Sequence, residues 1–414
     1  MAAANSSPRI FLAAGEASGD HYGAELIRVL RQSLPGAGFF GLGGTKMEAA
    51  GLNRVIKAED VAVMGITEVL LHLPRIYSSY RKLVAAIRAD PPQVAVLIDF
   101  PDVNLRLARE LKKLNVPVVY FVSPQLWAWK PKRLRHVQER VSKMLVIFPF
   151  EERFYAARGV TVEFVGHPLA DDPLPTISRE ELARQTTPIS PNSQRHALDP
   201  SKPWIALLPG SRVGEIVHNL PELVKAAYEL GEQYEFLVPI APTLTVKQIS
   251  KLQFDLGSWS PADAPPPRIS FVRDAAAALF HADASVVCSG TATVLAALMG
   301  KPFIVVYKVS ALSYAVLRRA VRYPAEIPAP LDEEGHPPVA MVNLIAGRRV
   351  VPELLQHQFT PKNMQNALRP LLRDTPERAA MLSGLAEVRS MLHPEGRPPA
   401  IERAAAAVLA MLQT

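Results

Sequence analysis

Short apolar runs recur along the chain, with helix-length stretches between them. In the first half they read RIFLAAG, VAVLIDF, NVPVVYFVS, KMLVIFPF and VTVEFVG. These runs are continuously apolar rather than alternating, which is typical of strands that are covered on both faces. The pattern therefore predicts strand–helix units that build a parallel sheet.

A proline-rich, polar stretch at residues 173–202 interrupts this pattern. The series that follows it reads PWIALLPG, YEFLVPIA, RISFV, DASVVCSG and PFIVVYKV. We interpret the stretch as a linker with one short helix at SREELARQ, between domains at 1–172 and 203–390. A helix candidate in residues 391–414 is expected to return to the first domain. The predicted fold class is α/β, with two Rossmann-like, doubly wound parallel-sheet domains that face a central cleft.

Composition and charge narrow the class of protein. The 414 residues exceed what one core usually serves, and a hydrophobic content of 49% is enough for two. The formal charge of +7 favours an anionic partner such as a nucleotide, a phosphorylated substrate or an anionic lipid surface. The single cysteine, Cys288, excludes an intramolecular disulfide, and we interpret it as a buried small hydrophobe. The N-terminus resembles no secretion signal and no long apolar run occurs, so we expect a cytoplasmic protein that does not span a membrane.

A strand-to-helix turn in the second domain has the composition of a phosphate site. It reads IALLPGSRVGEIVHNL, in which Gly210 and Ser211 let the backbone turn and leave N–H groups unpaired at a helix start. Arg212 adds a planar, permanently charged group that suits phosphate oxygens. The alternative is a structural turn with an exposed arginine.

A similar turn follows in CSGTATVLAALMG, with Ser289, Gly290 and Thr291 at the helix start. Two such turns in one domain predict a diphosphate site between two helix N-termini. Helix capping by Ser289 and Thr291 is the alternative interpretation.

Carboxylates follow two strands of the first domain. LIDFPDVN places Asp99 and Asp102 between a strand and a helix, where a carboxylate can either accept a proton from an attacking hydroxyl or cap the helix. We favour the base for Asp99 and capping for Asp102. AGEASGD is another strand-to-helix turn, and we expect Glu16, Ser18 and Asp20 to face the same cleft.

Several familiar sites are disfavoured by spacing. GLGGTKMEAAG lacks the third glycine of a dinucleotide fingerprint, and no phosphate-binding loop of the G-x-x-x-x-G-K-[ST] type occurs. The histidines form no H-E-x-x-H motif and have no cysteine partners, so we expect neither a metal site nor a cofactor.

The stretch SPQLWAWKPKR combines Trp127 and Trp129 with Lys130, Lys132 and Arg133. The rings are either buried packing or a surface for an apolar, anionic ligand. VMGITEVLLHLPRIYSSY and SYAVLRRAVRY are companion candidates for membrane contact, although a core-facing helix suits each equally well.

With these motifs assembled, the sequence resembles the lipid-A-disaccharide synthases, which are inverting glycosyltransferases of the two-domain GT-B type. The matching phrases run in family order from Ile10 to Leu355. They are AGEASGD, AVMGITEVL, IDFPDVN, VSPQLWAWKPKR, FPFEERFY, FVGHPLAD, LLPGSRVGEI, SGTAT and VNLIAGRRVVPELL. SPQLWAW together with PGSR is very specific, whereas SGTAT alone is weak.

The resemblance implies an activity and assigns residues to it. Such enzymes join UDP-2,3-diacylglucosamine to 2,3-diacylglucosamine 1-phosphate and release UDP, with no known metal requirement. It implies an acceptor-binding first domain with Asp99 as the base and Glu16 nearby. It implies a second domain that binds the UDP-sugar, with Arg212 and Asn343 on the nucleotide-sugar side.

The resemblance also bears on partners. It implies peripheral association with the inner-membrane surface and no nucleic-acid partner, and it leaves a homodimer open. Two other functions stay as alternatives, namely a GT-B enzyme that acts on UDP-GlcNAc and a silent member that only binds glycolipid.

The sequence departs from the family pattern in two places. Leu295 stands where the family usually carries a glutamate that resembles the ribose-binding acid of related transferases. YPAEIPAPLDEEGHPPVA, residues 323–340, is longer than the usual connection and predicts a mobile loop.

Overall fold

The computed structural model describes residues 7–60, 66–128, 131–188, 198–210, 213–240, 244, 248, 251–252, 267–310, 314 and 321–413. The chain divides into two compact units, and each has a parallel sheet with helices packed on it, which confirms the predicted fold class. Unit 1 comprises Met1–Asp171, Ala320–Glu326 and Leu392–Thr414, and unit 2 comprises Asp172–Arg319 and Ile327–Met391.

Unit 1 contains seven parallel strands in the order β3-β2-β1-β4-β5-β6-β7. Their bounds are β1 Arg9–Ala14, β2 Gly38–Gly43, β3 Leu52–Lys57, β4 Val94–Ile98, β5 Val118–Phe121, β6 Lys143–Val146 and β7 Val162–Phe164. Every residue of β4 and β5 is buried, as the continuously apolar runs predict for strands that are covered on both faces.

Among the residues described in unit 1, six α-helices lie between or beside these strands, and a seventh comes from residues 400–412. They are α1 Ala17–Ser33, α2 Thr45–Ala50, α3 Ile66–Ala89, α4 Pro101–Lys113, α5 Leu134–Arg140, α6 Pro149–Ala156 and α14 Ala400–Leu412. Three of the buried residues of α14, Ala400, Ala404 and Val408, recur at every fourth position and lie on one face, and Ala405 and Ala407 are buried beside them. This face packs against α1, β4 and β5, so the terminal helix completes the cover of the first sheet.

Unit 2 contains six parallel strands and one short antiparallel strand in the order β14-β13-β12-β9-β10-β11-β8. Their bounds are β8 Thr187–Pro188, β9 Trp204–Leu208, β10 Glu235–Pro239, β11 Arg268–Val272, β12 Ala284–Cys288, β13 Phe303–Tyr307 and β14 Glu353–Leu355. The helices are α7 Arg179–Arg184, α8 Val213–Leu230, α9 Ala275–His281, α10 Thr291–Leu298, α11 Met341–Ala346, α12 Pro361–Leu368 and α13 Pro376–Leu392.

The stretch that the sequence suggests as a linker is attached to unit 2 over its described residues. It contains α7 and β8, and β8 pairs with the edge strand β11. The Arg179 guanidinium donates to the carbonyl oxygens of His281 and Lys202 at 2.8 and 2.7 Å. The stretch has the polar composition of a linker because it covers a sheet edge and does not belong to a core. The polar pattern alone therefore did not reveal these contacts.

Both sheets have the same topology around their first parallel strand, which is β1 in unit 1 and β9 in unit 2. In unit 1 the strands beside β1 are β2 and β4, and in unit 2 the strands beside β9 are β10 and β12, so the strand order reverses at β1/β4 and at β9/β12. Ligands of doubly wound sheets bind beyond the carboxyl ends of the strands at this switch point. Glu16 and Asp99 follow β1 and β4, whereas Gly210 and Ser289 follow β9 and β12. Each sheet thus presents predicted site residues at its own switch point.

A helix must be both long and apolar to span a membrane. Among the helices in the described part of the chain, none has both the length and the apolar character that crossing a bilayer requires.

Candidate active site

The turn at the end of β4 has an uncommon backbone. Asp99 and Phe100 are consecutive residues with φ values of 46° and 48°, in the left-handed region that side chains other than glycine rarely adopt. Such residues cost on the order of 1–3 kcal/mol each and persist only where the surroundings hold them. The Asp99 N–H donates to the carbonyl oxygen of Phe121 at 3.0 Å, and the buried Tyr120 hydroxyl donates to the Asp99 carbonyl oxygen at 2.6 Å. The neighbouring strand β5 therefore fixes the position of Asp99.

Asn104 connects the two strands of this switch point. Its side chain is fully buried, and Nδ2 lies 3.2, 3.1 and 2.7 Å from the carbonyl oxygens of Ala13, Ile98 and Asp99. Its Oδ1 has no hydrogen-bond partner within the described part of the chain. One amide group thus joins the end of β1 to the end of β4 and supports the strained turn.

The carboxyl group of Asp99 titrates in the range that proton transfer needs. Burial raises its pKa, the Glu16 carboxylate raises it further, and a backbone hydrogen bond at Phe100 partly offsets both, so that the pKa is about 7. A general base works best when its pKa lies near the working pH. Glu16 itself is exposed at the start of α1. The structure therefore brings the two predicted carboxylates together, with Asp99 as the one suited to proton transfer.

Close approach of the chain explains the glycine at this turn. A Cβ atom at Gly15 would lie 2.4 Å from Cδ1 of Phe100, so only glycine leaves room for the ring. Gly15, the first glycine of AAGEASG, is thus required by the turn after β4.

Asp20, which we expected at the same cleft, has a structural role instead. It is buried, and its carboxylate accepts hydrogen bonds from the backbone N–H groups of Gly44, Lys46 and Met47 at 2.8–3.0 Å. These N–H groups belong to the start of α2, which Asp20 caps from another helix. Sequence spacing gave no sign of this contact because the two segments are more than 20 residues apart.

The capping role expected for Asp102 is wrong. The N-cap of α4 is Phe100, no side chain caps that helix, and Asp102 is exposed. Its Oδ1 instead lies 2.5 Å from Nη2 of Arg133. Asp102 is therefore a partner of a cationic side chain rather than of the helix N-terminus.

The switch point of unit 2 is formed by the turns after β9 and β12. Gly210 has a φ of 119°, and a Cβ atom there would lie 2.5 Å from Oε2 of Glu215 in α8. This position therefore requires glycine on both backbone and steric grounds. Ser211 and Arg212, which the sequence assigns to phosphate binding, lie outside the described residues.

Asn219, on the helix that follows β9, makes in unit 2 the same kind of link between two strand ends that Asn104 makes in unit 1 from the helix that follows β4. It is buried, and its Nδ2 lies 3.0 Å from the carbonyl oxygen of Pro209 and 2.9 Å from Sγ of Cys288, which joins the ends of β9 and β12. Its Oδ1 also lacks a hydrogen-bond partner among the described residues. Asn219 is not among the site residues that the sequence predicts. Its position as a polar residue on the apolar, sheet-facing side of α8 could have identified it from the sequence.

The turn after β12 begins helix α10 without a side-chain cap. Its N-cap is Gly290, with a φ of 148°, so capping by Ser289 and Thr291 is not what the structure shows. The Ser289 hydroxyl donates to the carbonyl oxygen of Val339 at 3.1 Å, and Thr291 is exposed at the first helical position. The first N–H groups of α10 therefore have no side chain of their own helix as partner, as a phosphate site requires.

Asn343 is fully buried in unit 2, with partners for both ends of its amide group. Nδ2 donates to the carbonyl oxygen of Val351 and to Oε1 of Glu353, at 3.0 and 2.8 Å. Oδ1 accepts from the N–H groups of Val350 and Val351 at 2.7 and 3.0 Å. In this conformation the side chain holds the loop between α11 and β14, so any effect on a nucleotide would act through that loop.

Trp127 is a core residue. It is 2% exposed, its Nε1 donates to Oε1 of Glu151 at 3.1 Å, and its ring lies between Phe150 and Tyr323, with centroid distances of 4.9 and 5.9 Å. The packing interpretation is therefore confirmed for this ring. Trp129 and Lys130 lie outside the described residues, as does most of SYAVLRRAVRY, whereas residues 66–80 of the other membrane-contact candidate are part of α3.

The loop at residues 323–340, expected to be mobile, is held at its beginning by unit 1. Tyr323 stacks on Trp127, and Glu326 lies 3.4 Å from Nη1 of Arg158. The tryptophan thus anchors a segment that joins unit 1 from a distant part of the chain.

Cys288 is buried as expected, and burial raises the pKa of its thiol to about 12.

We expect Trp127→Phe to lower the free energy of unfolding by about 1–3 kcal/mol, because the buried Glu151 carboxyl loses a donor. Urea denaturation measures this change. Tyr77→Phe is a suitable control, since Tyr77 is 62% exposed and should change stability by no more than about 0.5 kcal/mol. Equal stability of Trp127→Phe and the control would mean that the indole bond contributes nothing.

The sequence was compared with known families and proteins. The family model described as lipid-A-disaccharide synthetase matches residues 10–396. The chain belongs to the lipid-A-disaccharide synthase family. It is 53% identical to the lipid-A-disaccharide synthase of Acidobacterium capsulatum, over 99% of this chain and 98% of the relative. It is 45% identical to that of Koribacter versatilis, over 98% and 99% of the two chains.

Solved structures with similar folds support the GT-B architecture. A calicheamicin glycosyltransferase is 17% identical with a TM-score of 0.56, and the comparison covers 98% of each chain. The UDP-GlcNAc 2-epimerase of Neisseria meningitidis is 11% identical with a TM-score of 0.53, over 98% of this chain and 99% of that one. At these identities the likeness concerns the fold alone. The lipid-A-disaccharide synthase family, rather than the fold, therefore decides between the transferase and the other GT-B functions.

Proposed function

We propose that this member of the lipid-A-disaccharide synthase family joins UDP-2,3-diacylglucosamine to 2,3-diacylglucosamine 1-phosphate, giving the lipid A disaccharide 1-phosphate and UDP. The observation that carries the mechanism is the position of Asp99, a carboxyl group with a pKa of about 7 at the switch point of unit 1. Unit 2 has glycine turns at its own switch point, which suit a diphosphate. We assign the acceptor to unit 1 and the UDP-sugar to unit 2.

The proposed reaction is a single displacement with inversion. The 6-hydroxyl oxygen of the acceptor attacks the anomeric carbon of the donor from the face opposite the diphosphate. As the new C–O bond forms, the bond between the anomeric carbon and the UDP oxygen breaks, and its electron pair leaves with UDP. Asp99 takes the hydroxyl proton, which makes the attacking oxygen a stronger nucleophile at the moment of reaction.

The departing diphosphate needs fixed positive groups, because it gains negative charge as the bond breaks. The N-termini of α8 and α10 follow the two strands at the switch point of unit 2, and each helix end carries partial positive charge. Arg212 precedes α8 and would supply a full charge. We propose that these three groups together stabilise the leaving UDP.

The same arrangement supports catalysis without a metal ion. Within the described part of the chain, no three His, Cys, Asp or Glu side chains are grouped so as to hold a metal. Cationic groups and helix N-termini can offset the charge of a diphosphate instead. We therefore expect the rate of UDP release to persist in excess EDTA. Loss of activity in EDTA that added Mg²⁺ restores would contradict this expectation.

Glu16 should set the pH at which Asp99 becomes active. Asp99 must be ionised to accept a proton, so activity is lost as the pH falls through its pKa of about 7. Glu16→Gln removes a negative charge that raises this pKa, and the acid limb of kcat/KM should therefore move to lower pH. A pH profile of both proteins measures the shift. An acid limb that stays in place would remove Glu16 from this role.

We further propose that the enzyme works at the inner-membrane surface, because both substrates carry acyl chains. The basic Lys132 is exposed, and Tyr77 on α3 is an exposed aromatic residue of the segment predicted to contact the membrane. Exposed basic and aromatic side chains are typical of proteins that bind the membrane interface. A homodimer stays a prediction.

Supplying two donors tests the proposed function. With 2,3-diacylglucosamine 1-phosphate as acceptor, we expect UDP release and disaccharide formation from UDP-2,3-diacylglucosamine but not from UDP-GlcNAc, as measured by mass spectrometry. Asp99→Asn serves as the inactive control. Turnover of UDP-GlcNAc at the higher rate would favour the other GT-B enzymes, and binding of both substrates without any UDP release would favour a glycolipid-binding protein.

A further inference from the structure

A cationic cleft lies in unit 1 beside the turn that carries Asp99. It has a volume of about 330 Å³, opens to solvent and is formed by α4, α5 and the single 3₁₀ turn before α5. The lining residues are Pro101, Asp102, Leu105, Arg106, Arg109, Arg133, His136 and Arg140. Four arginines and one carboxylate therefore share one concave surface, which leaves a clear excess of positive charge.

The arginines come from facing stripes of the two helices. Arg106 and Arg109 are three residues apart on α4, while Arg133 and Arg140 are seven residues apart across the start and the end of α5. Residues with these spacings lie on one side of a helix. All four arginines line the same cleft, where the mutual repulsion of their charges favours a bound anion.

The four arginines differ in the ion pairs and hydrogen bonds that they already make with the protein. Arg133 is paired with Asp102, and Arg140 donates to the carbonyl oxygen of Leu105 at 3.0 Å. Arg109 lies 3.5 Å from Glu110. Arg106 forms no ion pair with any residue that the structure describes, and it is exposed. Its guanidinium group is thus the one that remains available for a ligand.

His136 contributes a neutral donor to the same cleft. Nη2 of Arg140 lies 2.8 Å from Nδ1 of His136, and because a guanidinium can only donate, Nδ1 must accept. Burial and the charges of Arg140, Arg135 and Arg133 lower the pKa of the ring, against a smaller opposing effect of Glu139. The proton of the neutral ring is therefore on Nε2, which can donate a hydrogen bond.

The cleft begins directly after the proposed base. Pro101 and Asp102 line it and follow Asp99 by two and three residues. Arg106 lies five residues beyond Pro101, the first residue of α4, or about 8 Å along the helix axis. A hexose that places its 6-hydroxyl at Asp99 carries its anomeric substituent at the opposite end of the ring. That substituent would therefore point along the first turns of α4.

We infer that this cleft binds a phosphomonoester, and specifically the anomeric phosphate of the acceptor sugar, an inference that rests on the proposed function. Guanidinium groups that approach from two helices match the three oxygens of a phosphate better than the two oxygens of a carboxylate. Arg106 is the principal ligand, supported by Arg133 and by the imidazole of His136. The cleft thereby holds the acceptor with its 6-hydroxyl at Asp99.

Arg106→Gln tests the inference, with Arg135→Gln as the matched control. Arg135 is on α5, its side chain is 73% exposed, and it does not line the cleft. The assay uses acceptors with and without the 1-phosphate in neutral detergent micelles. With the phosphorylated acceptor, we expect Arg106→Gln to raise the KM roughly tenfold or more, and Arg135→Gln to leave it near the wild-type value. With the acceptor that lacks phosphate, the two variants should differ little.

Binding of glucosamine 1-phosphate, measured by calorimetry, provides a readout that needs no turnover. The site is supported if Arg106→Gln weakens the affinity for glucosamine 1-phosphate and Arg135→Gln does not. This holds even if no disaccharide forms, and in that case only the proposed transfer fails. If the disaccharide forms while Arg106→Gln changes neither the KM nor this affinity, the site is wrong and the transfer stands. Equal losses of binding to anionic vesicles in both variants, without a change in KM, would identify a lipid-headgroup surface and overturn the inference.

Discussion

Asp99→Asn should slow disaccharide formation by roughly 10²- to 10⁴-fold, the usual contribution of a positioned general base. Asparagine keeps the shape of the side chain, and the bonds that hold the turn are made by the backbone of residue 99, so the variant should fold. Single-turnover kinetics measure the loss directly. The pH profile gives a second test, because the wild-type enzyme should lose activity below about pH 7 and the variant should lack this acid limb.

Asp102→Asn is the matched comparison for this prediction. Asp102 lies three residues away, is exposed, and pairs with Arg133 at the surface, where an ion pair contributes about 0–1 kcal/mol. We expect at most about a tenfold loss of turnover and an unchanged acid limb. A larger loss of turnover in folded Asp102→Asn than in Asp99→Asn would show that the base is the other carboxylate.

Arg212→Ala should reduce turnover by about 10²- to 10³-fold, which corresponds to about 2.7–4 kcal/mol of transition-state stabilisation. The reason is that the diphosphate gains charge as it leaves, and Arg212 immediately precedes α8 at the switch point of unit 2. The loss should appear in kcat, because charge on the leaving group is greatest in the transition state.

Lys225→Ala controls for the loss of one positive charge on the same helix. Lys225 is exposed and pairs with Glu222, three turns beyond the start of α8. Its variant should turn over at the wild-type rate. Thermal unfolding of both variants then separates a catalytic loss from a folding defect. Turnover of Arg212→Ala within threefold of the wild-type rate would remove Arg212 from the mechanism.

Much of the fold follows from the sequence because its signals are local. Continuously apolar runs give the buried parallel strands, and the glycine-containing turns after β1, β9 and β12 give the places where helices begin. Asp99 could be placed for the same reason, since the carboxyl ends of parallel strands meet at one edge of a sheet. The predicted position of Asp99 therefore depends only on where a strand ends.

The remaining site features depend on contacts between distant segments, which spacing does not reveal. Trp127 is held by Glu151 and by Tyr323, nearly 200 residues further along the chain. Asn104 and Asn219 each join two strand ends by an amide group, and the sequence does not indicate which strand ends each of them contacts. The raised pKa of Asp99 likewise follows from burial and from Glu16, both of which require the folded chain.

A crystal structure with bound UDP tests the central claim, which assigns the nucleotide to the switch point of unit 2 and the base to that of unit 1. The account predicts the diphosphate beside Gly210, Arg212 and the first N–H groups of α10, and it predicts that the ribose contacts are made without Leu295. A diphosphate bound beside Asp99 at the β1/β4 switch point would contradict the assignment and with it the proposed mechanism.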